Sequence, residues 1–206
     1  MELSPQFPGA LVLLDYFGIA VFAISGALVA AERRLDFVTF IFFAVVTGVG
    51  GGTLRDLLIG APVFWVSTNA TLLICMGAAL AAWSIRSRKV AQRALLWFDA
   101  AGLAAFAAYG AAKALGYGVA PVPAFVMGVL TACAGGIIRD VLAREPSILL
   151  RREIYVTAAA LSAGLLVGLT LVGVSVWVAA VSAAFAGFAL RAAAIARGWS
   201  LPAYRD

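Results

Sequence analysis

Thr47-Gly48-Val49-Gly50-Gly51-Gly52-Thr53-Leu54-Arg55-Asp56 lies within one apolar run of this chain. Its echo, Thr131-Ala132-Cys133-Ala134-Gly135-Gly136-Ile137-Ile138-Arg139-Asp140, lies within another. The offset is 84 residues, and the match extends beyond the two segments. Asp15 falls on Asp99, Gly18 on Gly102, Phe22 on Phe106, Gly26 on Gly110, and Pro62 on Pro146. Between positions 15 and 62 there are 17 identities in 48 positions. Alanine pairs carry little weight in such a composition. The Asp, Arg-Asp, Gly-Gly and Pro pairs carry much more, because these types are scarce or costly within apolar segments.

The rest of the chain explains the apolar setting. Of 206 residues, 64% are hydrophobic and 12% charged, against roughly 45–50% and 25% in soluble domains. A globule of this length cannot hide so much apolar surface. The chain therefore reads as an all-α polytopic membrane protein. About 20 apolar residues span the hydrocarbon core as a helix, and seven candidates fit: 11–31, 37–60, 67–85, 94–114, 122–143, 154–172 and 174–193. The runs are continuous rather than short and alternating, which argues against a membrane β-barrel. The flank before the first span carries Glu2 and no Lys or Arg, unlike a cleaved signal peptide.

The single membrane domain, 1–206, thus divides into a three-helix repeat (11–85), a second three-helix repeat (94–172) and a seventh helix (174–193). An odd number of spans per repeat inverts the second copy, and such inverted repeats place a binding or permeation path at their interface. Basic residues set the orientation. With the N-terminus outside, 12 of the 15 fall on the inner side: Arg33, Arg34, Arg86, Arg88, Lys89, Arg93, Arg144, Arg151, Arg152, Arg191, Arg197 and Arg205. Lys113 alone falls in an outer segment, while Arg55 and Arg139 sit within spans. The expectation is a multi-pass inner (cell) membrane protein, N-terminus outside and C-terminus cytoplasmic. Dispersed basic residues suit an anionic leaflet and argue against a nucleic-acid partner.

The two motifs invite two readings each. Glycine costs about 1 kcal/mol relative to alanine within a helix, so Gly50, Gly51 and Gly52 predict a bend or break beside a polar path. Small residues also permit close helix packing. Arg55 and Arg139 must find an acid or water. Adjacent side chains point to different sides of a helix, so Asp15 and Asp99 on neighbouring spans are the expected partners rather than Asp56 and Asp140. These six charges form two clusters, one toward each vestibule, read either as structural ion pairs or as pore lining. Thr47 and Thr131 present hydroxyls to a permeating ion, or bond the carbonyl one turn back.

Other features have simpler readings. Pro62 and Pro146 end helices, and Pro121 and Pro123 begin one. Gly18, Phe22 and Gly26, with Gly102, Phe106 and Gly110, form small-residue faces for packing within or between subunits. Asn69 and Glu153 read as helix-end residues. The chain has no histidine, so a His-based zinc site, a His general base and a Ser–His–Asp triad are excluded. Cys75 and Cys133 lie in apolar runs and do not suggest a disulfide scaffold. No enzyme activity, cofactor or resident metal is expected.

The two glycine and Arg-Asp motifs, in a seven-span chain of inverted repeats, resemble the trimeric intracellular cation channel (TRIC) family. The likeness is to its prokaryotic members, whose domain is also labelled a glycine-transporter domain, and covers approximately residues 11–193. It implies homotrimers with a pore in each protomer, running past bent second and fifth helices at Gly50–Gly52 and Ala134–Gly136. It implies conduction of potassium and also sodium through the lipid bilayer. Ala134 departs from a full triple glycine. The phosphoinositide-binding basic motif of the animal members has no counterpart around Tyr109 to Lys113.

On this reading the protein is a potassium-permeable cation channel. The pathway residues are Thr47, Gly50, Gly51, Gly52, Arg55, Asp56, Thr131, Ala134, Gly135, Gly136, Arg139 and Asp140, with Asp15 and Asp99 as vestibule acids. The alternative is a secondary transporter of a small solute such as glycine, since inverted repeats suit alternating access equally well. A non-transporting scaffold gives no reason for paired charges at both ends of a symmetric repeat.

Overall fold

A computed structural model describes residues 9–85, 87–148 and 153–202. Arg86, Arg151, Arg152 and Arg205 of the orientation argument lie outside these residues, as does the flank containing Glu2. The described residues form seven helices and no strand: α1 (Gly9–Glu32), α2 (Phe37–Leu58), α3 (Asn69–Trp83), α4 (Arg88–Gly116), α5 (Pro121–Leu142), α6 (Val156–Leu171) and α7 (Val176–Arg197). Each falls on one predicted span. Five are long and apolar enough to cross a membrane, whereas α3 and α6 are shorter apolar helices. At 15 and 16 residues they reach about 22–24 Å. Their ends are fixed locally: Thr68 accepts from the Ala70 N–H before α3, and Gly173, with φ 85°, turns the chain after α6.

The apolar surplus appears on the outside. Leu13, Val38, Leu57, Val122 and Phe185 are all largely exposed, the arrangement expected where lipid rather than water is the solvent. Inside, the packing is built on small residues. α1 and α4 lie side by side at the centre; α1 also packs on α2 and α3, and α4 on α5, α6 and α7. The glycine faces of α1 and α4 are used here, within the protomer. A side chain at Gly18 would strike the Phe106 ring, and one at Gly102 would strike the Phe22 ring. The two rings meet 5.1 Å apart. Gly26 and Gly110 similarly admit the side chains of Thr47 and Thr131. These faces therefore do not supply subunit contacts.

The offset of 84 recurs in the backbone. Gly60, after α2, and Arg144, after α5, both adopt left-handed conformations, with φ 68° and 53°. After them, Ala61 donates to the Asp56 carbonyl and Glu145 to the Asp140 carbonyl, each at 2.9 Å. Both helices thus end before Pro62 and Pro146 are reached, through a left-handed cap that glycine adopts freely and arginine does not. Asp36 caps α2 by accepting from the Thr39 N–H at 3.0 Å and hydroxyl at 2.7 Å, bonds that hold its carboxyl below the usual range. α7 is tied to the loop before α6 by Arg191, which pairs with Glu153 at 2.5 Å and lies over the Tyr155 ring. Glu153 is therefore more than a helix-end residue.

Candidate functional site

The site is built where α2 crosses α5. Both helices run unbroken through their motifs, so the glycines do not break the helix as expected. They bring the two backbones together. A Cβ at Gly51 would fall on the Thr131 carbonyl oxygen, and one at Gly135 would lie 2.6 Å from the Thr47 carbonyl oxygen. Such proximity brings Cα–H groups against carbonyl oxygens. Gly50 faces Ile138 across the same seam, Gly52 faces the Phe64 ring, and Gly136 faces the Tyr155 hydroxyl. Ala134 is buried between them. The Thr131 hydroxyl donates to the Met127 carbonyl one turn back at 2.6 Å. The Thr47 hydroxyl is buried with no hydrogen-bond partner among the described residues.

Beyond the seam the charges gather as two clusters, but their pairing corrects the expectation. Each arginine binds the aspartate beside it. Arg55 Nε donates to Asp56 Oδ1 at 2.8 Å, and Arg139 donates to Asp140 Oδ1 from Nε and Nη2 at 3.0 and 2.8 Å. Helix geometry separates neighbouring Cβ atoms, but a long guanidinium arm curls back far enough to bridge them. The expected partner across helices is present once. Arg139 Nη1 donates to Asp99 Oδ1 at 2.6 Å and to Ser25 Oγ at 3.2 Å. In the other cluster no ion pair joins Arg55 to Asp15 among the described residues. Asp15 instead lies beside the Tyr109 hydroxyl, and Arg55 lies 5.2 Å from the Tyr109 ring centroid.

The aspartates also fold the following loops back over the helix ends. Asp56 Oδ2 accepts from the Phe64 N–H at 3.1 Å, and Asp140 Oδ2 from the Ile148 N–H at 3.0 Å. Phe64 and Ile148 are again 84 apart. Arg55, Asp56, Arg139 and Asp140 are all buried. Buried carboxylates so well supplied with donors are held in place.

Lys113 breaks the symmetry. Its ammonium lies 2.8 Å from Asp56 Oδ1 and 2.9 Å from Oδ2, and 5.7 Å from the Phe64 ring centroid. The first cluster is therefore filled by protein: two acids, two bases and two aromatic rings. The second opens into a cavity of about 320 Å³, lined by Val29, Asp99, Arg139, Asp140 and Ile148, with Glu32, Arg88 and Glu145 farther round its wall. At its rim Arg33 pairs with Glu145 at 2.5 Å. The sequence motifs led to neither Lys113 nor Phe64 as a site residue. The available signal was that Lys113 is the one base in an outer segment. Tyr109, Tyr155 and Ser25 had no signal.

Comparisons with known proteins agree with this geometry. The family model described as Glycine transporter matches residues 12–87 and again 96–171. The structure of a TRIC trimeric intracellular cation channel orthologue from Rhodobacter sphaeroides superposes with a TM-score of 0.87 and 45% identity, covering 93% of this chain and all of that one. This chain is a member of the TRIC family. A prokaryotic TRIC channel crystallised in 0.5 M KCl superposes with a TM-score of 0.86 at 30% identity, covering 93% and 98% of the two chains. A UPF0126 membrane protein of Vibrio cholerae is 42% identical over 197 residues, 94% of this chain and 82% of its own length. The UPF0126 inner membrane protein YadS of Escherichia coli is 45% identical over 148 residues, 70% and 72% of the respective chains. The TRIC fold is thus all-α and polytopic here, with seven helices in two three-helix repeats and a seventh helix.

Proposed function

We propose that this protein is a passive cation channel, permeable to potassium and also to sodium, acting as a homotrimer with an ion path inside each protomer. The path runs from the cavity at Asp99, Arg139 and Asp140, along the α2–α5 seam, toward Asp15, Arg55 and Asp56. The observation that carries this reading is the cavity itself. It ends on buried, fixed carboxylates at one end of a glycine seam, in a chain 45% identical to a TRIC cation channel orthologue.

The chemistry follows from charge and burial. A cation leaving water needs oxygen ligands in place of its hydration shell. Glu32 and Glu145 draw it toward the cavity, and Asp99 and Asp140 receive it. Arg139 repels it weakly, because both carboxylates already bind that guanidinium. Beside the seam, against Gly26 of α1, the Thr47 hydroxyl, unpartnered among the described residues, supplies a further oxygen. At the far end Lys113 and Phe64 occupy the exit, so conduction requires the Lys113 ammonium to leave Asp56. Gly50, Gly51, Gly52, Gly135 and Gly136 add no side chain to the seam, and Ala134 adds only a methyl group. The repeats span 11–85 and 94–172, with 174–193 as the seventh helix. The protein lies in the inner membrane with its C-terminus and the cavity cytoplasmic, and it is not an enzyme.

The description of the matched family favours a second reading, a carrier of glycine. Arg139 would then hold the carboxylate and Asp99 the amine. Proteoliposomes loaded with KCl separate the two. A channel gives rapid rubidium tracer uptake, electrically driven and indifferent to glycine. A carrier gives saturable glycine counterflow and no such uptake.

A further inference from the structure

The internal pseudo-symmetry shows what belongs in the cavity. Shifting each residue by 84 carries Val29 to Lys113, Asp99 to Asp15, Arg139 to Arg55, Asp140 to Asp56 and Ile148 to Phe64. The first five line the cavity. The counterparts of the last four surround the Lys113 ammonium: Asp56 and Phe64 in contact, and Asp15 and Arg55 within electrostatic reach. One half of the molecule thus carries its own cation, on the side chain of α4. In the other half α1 offers Val29 at that point. The first cluster balances two acids with two bases, while Asp99 and Asp140 share Arg139 alone among the described residues.

Two further observations point to a ligand. Asp99 Oδ2 is buried with no hydrogen-bond partner among the described residues, on a residue that is 3% exposed and lines the cavity. Asp140 is slightly open to the cavity where its counterpart Asp56 is sealed. A buried carboxylate oxygen left without a donor is costly. The remaining charges on the wall, Glu32, Arg88 and Glu145 with its partner Arg33, add two acids and two bases and leave the deficit in place.

We propose that Asp99 and Asp140 form a resident binding site for one monovalent cation of ammonium size, occupying the place that Lys113 Nζ takes in the other half. Potassium and a small primary ammonium share this chemistry. The site deepens the channel reading, because it names where an entering ion first exchanges water for protein oxygens. It also stands without conduction.

The test is thermal unfolding of the detergent-purified protein in choline chloride, titrated with KCl, NaCl or methylammonium chloride at constant ionic strength. The proposal expects a saturable rise in Tm with KCl or methylammonium, weaker with NaCl. Asp99→Asn should weaken apparent affinity roughly tenfold or more, the worth of one charge-assisted contact. Val29→Lys supplies the tethered ammonium, and should raise Tm in choline and abolish the response to added cation. That variant needs no loss of fold to be informative. A potassium response limited to KCl identifies the ion as the ligand, and one limited to methylammonium identifies the amine. A wild-type Tm indifferent to every cation, or a Val29→Lys protein that responds like wild type, overturns the site. Rubidium uptake without cation-dependent Tm would leave conduction standing and the site refuted. The converse would refute conduction alone.

Discussion

Gly51 on α2 rests directly against the carbonyl oxygen of Thr131 on α5. The reciprocal contact, Gly135 against the Thr47 carbonyl, completes a seam in which neither helix has room for a methyl group. Gly51→Ala and Gly135→Ala should each cost about 1–3 kcal/mol by forcing the helices apart. Gly77, on α3, faces open space. Gly77→Ala should be neutral or stabilising by up to about 1 kcal/mol. Thermal unfolding in detergent checks the contrast. Equal effects at Gly51 and Gly77 would mean that the seam is not a close contact.

The two arginines are not equivalent despite their matched positions. Removing Arg139 leaves Asp99 and Asp140 buried and facing each other's charge, a loss of about 3–5 kcal/mol. Removing Arg55 leaves Asp56 still paired with Lys113. Arg139→Ala should therefore be the more destabilising change, and Asp99→Asn in the same chain should recover part of the loss. The four-protein comparison of Tm measures this. Additive effects would contradict the coupling.

Lys113 gives the clearest functional asymmetry. Lys113→Met keeps the length of the side chain and removes its charge, opening the Asp56 end of the path. Single-channel records should show a higher open probability, several-fold above wild type. An unchanged open probability in a folded Lys113→Met protein would remove Lys113 from the exit.

The Glu153–Arg191 pair makes a prediction whose sign depends on burial. The Arg191 side chain is 2% exposed, and that of Glu153 is 32% exposed. Glu153→Ala strands a buried guanidinium and should cost about 3 kcal/mol, whereas Arg191→Met leaves a carboxylate that can turn to water and should cost less. Unfolding of both variants tests the order.

Much of this architecture was legible in the sequence. Hydropathy located every helix, because lipid leaves a long apolar run only one way to satisfy its backbone. The repeat was legible because Asp15, Arg55 and Asp56 have counterparts that chance does not supply in an alanine-rich chain. The contacts were less legible. Three glycines predicted a bend or a break in α2, and no break occurs. Packing on α5 keeps the helix whole, and no pattern within one segment reports its neighbour. The rule that adjacent residues diverge misjudged Arg55 and Asp56, because it describes Cβ directions and not the reach of a guanidinium. Lys113 counts in the sequence as an outer-segment charge at the end of the fourth apolar run, with nothing to link it to Asp56. α4 continues to Gly116 and carries that ammonium to Asp56.

The most direct measurement of the central claim is a single-channel recording from purified protein in a planar bilayer, under an approximately tenfold KCl gradient. The account predicts discrete unitary currents that reverse close to the potassium equilibrium potential, about 59 mV from zero for a fully selective pore. It further predicts that Asp99→Asn and Asp140→Asn lower the unitary conductance. Silent bilayers containing folded trimers, together with saturable glycine counterflow from the same preparation, would contradict it.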